Sequence, residues 1–381
     1  MKITVSVYGR FHAFNLAQQL QKRGYLHKIV STYPKSLITK YGIAPSLVCS
    51  IWHSEILLRA WQRVPSWVKG DRNLQLWFLE YFDREVTHCL SPGFNVFVGW
   101  SGACFWSLHR ARDMGAMTVV ERGSSHIQYQ TQILQEEYEN WGLKFTATHA
   151  GVYERELQSY ADADRIAVPS LFVKRTFLEK GVPEEKLIHV PYGTSLAEFY
   201  PVPKEDEIFR VIHCGGISLR KGVQYLLKAF YELNLPKAEL WLVGPIAPEL
   251  QPFLAKYQSD RIIVKGKQPQ NQLRWFYSQC SVFCLASIEE GLAMVQAQAM
   301  ACGLPVIHTT NTGGEDIVRD GIDGFCVPIR DVEALKEKIL FFYENPERRA
   351  EMGNNAIEQA RTSLSWDDYG QRIASSYSQM L

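Results

Sequence analysis

The chain has 381 residues, of which 46% are hydrophobic and 21% charged, and its formal net charge is +1. That length exceeds one hydrophobic core and favours two domains, while the composition excludes a disordered or fibrous chain. A charge so close to zero argues against a general binder of nucleic-acid backbones, which carries a strongly basic face.

Met1 to Gly9 has apolar residues too few and too interrupted for a signal sequence, and predicts a first strand over Ile3 to Tyr8. The loop Gly9-Arg10-Phe11-His12 follows, then a helix with Ala13, Leu16, Ala17 and Leu20 on one face, ended by Gly24. The segment from Ile51 to Phe82 interleaves Trp52, Trp61, Trp67 and Trp77 with Arg59, Arg63, Lys69 and Arg72. An amphipathic helical pair covering the core is expected there; an anionic membrane surface or acceptor sugars are the alternatives for its outer face. Further strands are predicted near Lys28 to Ser31, Asn95 to Gly99, Met117 to Val120, Ile166 to Pro169 and Ile188 to Pro191.

Pro201, Pro203 and the charged Lys204-Glu205-Asp206 interrupt the pattern, which places a linker there and divides the chain into 1–203, 204–365 and a closing segment 366–381. That last segment is free to pack on either domain, and the N-terminal one is the assignment. In the second half strands are predicted at Val211–Cys214, Leu240–Val243, Ile262–Val264, Val282–Leu285, Pro305–His308 and Phe325–Val327. Val223, Leu226, Leu227 and Phe230 mark one helix face between them, and Val332, Leu335, Ile339 and Phe342 another. Such β-α alternation implies an α/β protein whose parallel sheets are covered on both faces. No run of ~18 apolar residues suggests a membrane span. The eight cysteines include no Cys-x-x-Cys pair; Cys280 and Cys284 sit in an apolar stretch, and all are expected as reduced core residues in a reducing, cytoplasmic compartment.

Open α/β sheets bind ligands beyond the carboxyl ends of their strands. The first such loop in the second half is Gly215-Gly216-Ile217-Ser218-Leu219-Arg220-Lys221-Gly222. Glycines admit close backbone approach, and a helix start adds free N–H groups to the two cations, which suits a diphosphate. A plain glycine turn with solvated cations fits the same residues. The second loop runs from Ser287 to Pro305, with Glu290 at the turn and Gln298 about two helical turns later on the same side. A carboxylate at the turn suits sugar hydroxyls, and the amide suits ribose.

The set of motifs resembles the retaining glycosyltransferases of family four, which have the GT-B fold of two Rossmann-like doubly wound domains facing a central cleft. The resemblance rests on Gly-x-x-x-x-x-Lys-Gly at 215–222, the Glu-Gly…Gln-Ala-Met-Ala-x-Gly-x-Pro-Val-Ile phrase at 290–307, Gly313-Gly314-Glu315, Gly321 to Phe325, Ala163 to Ser170 and Lys186 to Gly193. It is firm from about residue 160 to 345 and thin before 115. By it, Lys221 is the donor-phosphate lysine and Glu290 the contact to the transferred sugar. Gly291, Leu292, Ala293 and Met294 help hold phosphate and sugar, and Gly266 and Lys267 fall at the nucleobase. His126, in Glu121 to His126, takes the place of a histidine near the donor sugar, and Gly9 joins the donor site from the first loop. Two positions depart from the pattern. Gly216 stands where an arginine is usual, leaving Arg220 as substitute cation, and Gln298 replaces a glutamate and forgoes its charge-assisted bonding to ribose.

The partners so implied are a UDP- or GDP-linked sugar as donor and a glycan or lipid-linked acceptor, with no cofactor and no metal, and peripheral contact with the inner membrane face as an extension. Asp162-Ala163-Asp164 has the Asp-x-Asp form of some metal sites, yet it precedes a strand, and the resemblance places it in a structural phrase. A fold-sharing epimerase or hydrolase, and a non-catalytic sugar-nucleotide binder, are the competing functions.

Overall fold

The structure is a computed structural model that describes residues 1–64 and 74–381. The first sheet has seven strands: β1 (Ile3–Val7), β2 (Leu26–Ser31), β3 (Val48–Ser50), β4 (Val96–Trp100), β5 (Met117–Glu121), β6 (Arg165–Val168) and β7 (Leu187–His189). They lie in the order β3-β2-β1-β4-β5-β6-β7. The second has six: β8 (Phe209–Cys214), β9 (Ala238–Val243), β10 (Ile262–Gly266), β11 (Val282–Leu285), β12 (Val306–Thr309) and β13 (Gly324–Val327), ordered β10-β9-β8-β11-β12-β13. Neighbouring strands run parallel throughout.

Central strands such as β1, β4 and β8 are buried at every position, because helices cover both faces of a parallel sheet and leave no polar side. In each sheet the order reverses beside the first strand of that half, and the loops there open a crevice. The sequence expectations match twelve of the thirteen strands to within a few residues. The thirteenth, β3, is three half-buried residues at the sheet edge, too short to show a period.

Several features among the described residues tie the lobes together. The chain crosses at 190–208 and again at 364–366, where the Thr194 N–H donates to the Leu364 carbonyl at 2.7 Å and Thr194 bridges to Ser365. The last helix, Trp366–Ser378, starts on a capping box between Ser365 and Asp368 and packs on the Ala13–Lys22 helix of the N-terminal lobe, with the Tyr377 hydroxyl donating to Glu121. The helix Ile127–Asn140 leans the opposite way. Its Ile133 and Leu134 belong to the C-terminal core, and the buried Glu137 accepts bonds from Gln224, Tyr225 and Arg330 of that lobe.

The cysteine expectation needs one correction. Cys49 on β3 and Cys89, at the end of the Gln75–Cys89 helix, pair as a disulfide with Cα atoms 6.8 Å apart. Forty residues separate them in the chain, so spacing could not reveal a pair made by an edge strand meeting a helix end. The other six cysteines are free, and all but Cys326 are buried. Of the tryptophan-rich segment, Trp67, Lys69 and Arg72 lie outside the described residues; Trp52 and Trp61 fall on the helix Trp52–Arg63, and Trp77 on Gln75–Cys89.

Candidate active site

A cavity of about 1060 Å³ lies between the lobes at the carboxyl ends of both sheets. Its C-terminal wall is built by the loops after β8 and β11, fastened to each other where the Ile288 N–H donates to the Arg220 carbonyl at 2.8 Å, and the second loop is tied to the one after β12 where the Glu290 N–H donates to the Asn311 carbonyl at 2.9 Å. Gly222 makes this possible. Its φ is +64°, and a Cβ there would stand 1.8 Å from the Ala286 carbonyl oxygen, so no other residue lets the loop lie against the end of β11. The helices Val223–Leu233 and Met294–Ala301 then begin with no side-chain cap. Their first N–H groups are left as a positive end toward the cavity rim.

On this wall Lys221 contacts the Glu290 carboxylate, and the Arg220 guanidinium lies 3.7 Å from the same group. Burial, helped by neighbouring Arg220, pulls the Lys221 ammonium down to about 7, with Glu289 pulling the other way. The contact with Glu290 favours the charged form, so desolvation rather than want of a counter-ion makes this ammonium labile. Incoming phosphate oxygens would favour the charged form further. Met294 and Val295 stand at the start of the second helix, and Gln298 lies one turn on, accepting from the Tyr277 hydroxyl at 3.3 Å.

Beneath the pair sits Glu289, which sequence reasoning did not single out. It is fully buried and accepts from the Ser125 N–H (3.0 Å), the Ser125 hydroxyl (2.7 Å), the Gln130 amide (2.9 Å) and Arg220 Nε (2.8 Å). Burial opposes its charge, yet Arg220 and these donors outweigh burial and hold the carboxyl down at about 2. Its neighbour in sequence hid it, since two adjacent glutamates offer no pattern to say which one faces the cavity and which the opposite lobe.

The N-terminal wall is of another character. Tyr8, Leu58, Phe78, Leu79 and Val152 line it with few hydrogen-bonding groups among them. Closer to the lobe contact come Arg122 and Glu156, paired at 2.6 Å, and His12, whose Nε2 is 3.3 Å from Glu121 and whose ring packs on Tyr192 and Trp100. Gly291 touches this lobe directly: a Cβ there would fall 1.8 Å from the Gly123 carbonyl oxygen, and its own carbonyl accepts from the Ser170 hydroxyl at 2.7 Å.

Of the residues singled out in sequence, Gly215, Arg220, Lys221, Glu290, Leu292, Ala293, Met294 and Gln298 meet at the cavity. Gly216, Gly266, Lys267 and Gly9 do not line it. Gly266 ends β10, and its carbonyl accepts from the Gly244 N–H on the same rim, with Lys267 exposed beside it. The carbonyl of Gly9 is held by the Ser31 hydroxyl. His126, expected at the donor sugar, does not line the cavity. The ring is buried between Tyr160 and Phe177, where Nδ1 caps a helix by accepting from the Gln128 N–H and burial lowers its pKa to about 4. His12 is the histidine that reaches the cavity. Asp164 accepts from the Thr118 N–H and hydroxyl, and Asp162 faces His109 at 3.2 Å, so each already serves its own lobe.

Residues 198–359 match the family model for glycosyl transferases group 1. An uncharacterized glycosyltransferase of Methanocaldococcus jannaschii is 31% identical over 153 residues, covering 40% of this chain and 43% of that protein. A GDP-mannose-dependent alpha-(1-6)-phosphatidylinositol monomannoside mannosyltransferase of Mycolicibacterium smegmatis is 27% identical over 235 residues, 56% and 62% of the two chains. The chain thus spans about half the length of these curated relatives. Among solved structures, a sucrose-phosphate synthase from Thermosynechococcus elongatus superposes with a TM-score of 0.75 at 19% identity, over 100% of this chain and 99% of that one. Anabaena HepE in complex with UDP-glucose superposes with a TM-score of 0.73 at 15% identity over 100% of each. The fold is GT-B.

Proposed function

We infer that this chain, whose residues 198–359 match the family model for glycosyl transferases group 1, transfers a sugar from a UDP- or GDP-linked donor to an acceptor with retention of anomeric configuration. One observation carries this: Lys221, Arg220 and the uncapped start of the Met294–Ala301 helix converge with Glu290 on a single cavity. The difficult moment of such a transfer is departure of the nucleoside diphosphate as the sugar gains oxocarbenium character, so fixed positive charge at the leaving oxygens contributes most. Lys221 and Arg220 supply it, Glu290 orients the sugar hydroxyls, and Gln298 reaches toward the ribose. The C1–O bond to phosphate breaks and the bond from C1 to the acceptor oxygen forms on the same face, with the acceptor proton passing to the departing phosphate. With Lys221, Arg220 and a helix start to face the diphosphate, the reaction is proposed to need no metal, and turnover unchanged by chelator is the expected result.

A second observation favours a lipid-linked acceptor over a glycan. Leucines and valine on the N-terminal wall cannot bond to hydroxyls, so Leu58, Leu79 and Val152 suit an aliphatic segment. On the Trp52–Arg63 helix that carries Leu58, Trp52, Ile56 and Leu57 are exposed beside Arg59 and Arg63, a surface fit for the edge of an anionic bilayer. No helix among the described residues is long and apolar enough to cross a membrane. Synthesis of a surface polysaccharide or other glycoconjugate at the inner membrane face is the setting that suits both walls.

The test is a thermal-shift screen with UDP and GDP, followed by labelled donors with and without lipid acceptors. A shift with one diphosphate and transfer only when acceptor is present are expected. Conversion of donor in the absence of acceptor would favour an epimerase or hydrolase, and binding without conversion would mark a sugar-nucleotide binder.

A further inference from the structure

The charges under the cavity form one continuous chain across the lobe contact. Starting at the N-terminal wall, the Tyr160 hydroxyl donates to Glu156 at 2.6 Å, and Glu156 pairs with Arg122. Arg122 Nη2 then donates to the Gln130 carbonyl oxygen at 2.9 Å, and the amide of Gln130 donates onward to Glu289 at 2.9 Å. Glu289 holds Arg220 Nε, and Arg220 and Lys221 both face Glu290. Signs alternate from end to end: Glu156, Arg122, Glu289, Arg220, Glu290, Lys221. Glu156, Arg122, Arg220, Lys221 and Glu290 line the cavity, and Glu289 between them is fully buried. The helix dipole does not need Glu289, which caps nothing. A buried carboxylate with four donors costs desolvation that only its partners repay, so its orientation is tightly determined.

Resting on the nucleotide-sugar assignment above, we propose that Glu289 is a positioning residue: it fixes the guanidinium of Arg220 against the donor's second phosphate, and does so with bonds drawn from the opposite lobe. With Nε engaged by Glu289, the Arg220 plane cannot turn. Its Nη2 stays near the Ser124 hydroxyl at 3.3 Å and 3.7 Å from the Glu290 carboxylate, and Arg220 lines the cavity beside Lys221. A planar fork held along one edge presents the rest of its donors in a set direction, which is what recognition of a terminal phosphate requires. This also accounts for Gly216, where the family resemblance leads one to expect an arginine. The cation here comes from Arg220, four residues later, and needs an anchor that a residue at 216 would not. Gln130 and Ser125, each bonded both to Arg122 on the acceptor wall and to Glu289, make the anchor a joint product of both lobes.

The experiment measures affinities of UDP, UMP, GDP and GMP for the full chain by calorimetry, in the wild type and in Glu289→Gln, Arg220→Gln and the double variant, with the melting temperature of each recorded. For whichever base binds, Glu289→Gln is expected to weaken the diphosphate by about 30-fold, the scale of one charge-assisted bond, and the monophosphate by less than about 3-fold. Arg220→Gln should do the same, and the double variant should be no worse than Arg220→Gln alone, because one residue acts through the other. Gln130→Leu, which leaves the C-terminal wall untouched, should lower the diphosphate-to-monophosphate ratio in the same direction by a smaller factor. Equal losses for mono- and diphosphate would mean a general structural role and overturn the proposal, as would losses that multiply in the double variant. Wild-type protein that binds neither diphosphate would instead overturn the donor assignment itself, and this proposal with it; a wild type that binds while Glu289→Gln keeps the full ratio sinks the positioning role alone.

Discussion

The two walls of the cleft solve different problems. The C-terminal wall is short, charged and set by backbone: loops after β8 and β11 are bonded to each other, Gly222 lets them touch, and Lys221, Arg220 and Glu290 crowd at two helix starts. The N-terminal wall is broad and set by side chains drawn from several separate helices, with apolar residues outermost and the Arg122–Glu156 pair deepest. A diphosphate looks alike in every donor, so one compact device can hold it. Acceptors differ, and a wall assembled from scattered side chains can be remodelled without disturbing the first.

That contrast breaks most readily at Lys221. Lys221→Ala should lower turnover at saturating donor and acceptor by about 10³-fold, as expected for loss of one preorganised charge on a leaving group, while the melting temperature stays close to wild type. Near-normal turnover would move the chemistry off the C-terminal wall. Next comes Gly291→Ala, whose Cβ would collide with the Gly123 carbonyl and prise the walls apart. Displacement by about 1 Å is expected to cost about 10²-fold in kcat/KM, with UDP or GDP still bound, since the donor wall itself is intact.

The charge state of Lys221 gives a third test. Its folded pKa of about 7 lies below the usual lysine value, so the ammonium is present below pH 7 and lost above it. Affinity for the diphosphate should therefore fall as pH rises from 7 to 9, by about tenfold per unit, and a flat profile in direct titrations would show that Glu290 keeps the ammonium charged. The smallest effect sharpens the other wall. In a series of alkyl glucosides below their micelle concentrations, each added methylene should improve affinity about fourfold until the chamber is filled, and Leu58→Asn with Leu79→Asn should flatten that slope without altering diphosphate binding.

How far the sequence could be read follows the same division. Lys221, Glu290 and Gln298 were legible because a strand, a loop and a helix start impose fixed spacing on the groups they present, and that spacing survives in the chain. Nearly every strand was legible because burial on both faces writes an unbroken apolar run. Glu289 was not, since its meaning comes from Ser125 and Gln130, more than 150 residues away, and nothing local distinguishes it from Glu290. His126 lies off the cavity for a related reason, since a cap and a ligand look the same in a sequence; its ring packs on Tyr160 and Phe177 while Nδ1 accepts at the helix start. Cys49 with Cys89, and the apolar wall around Leu58, are likewise products of packing between distant segments.

The helix Trp366–Ser378 bears on how the protein is made. It seals the N-terminal sheet, inserting Tyr369 and Tyr377 beside residues of that lobe, yet the ribosome delivers it only after the whole second sheet has emerged. The half synthesised first must wait for the half synthesised last, exposing the Ala13–Lys22 face in the interval. Nascent chains halted before residue 366 should therefore leave that face uncovered, open to a protease that the finished protein resists.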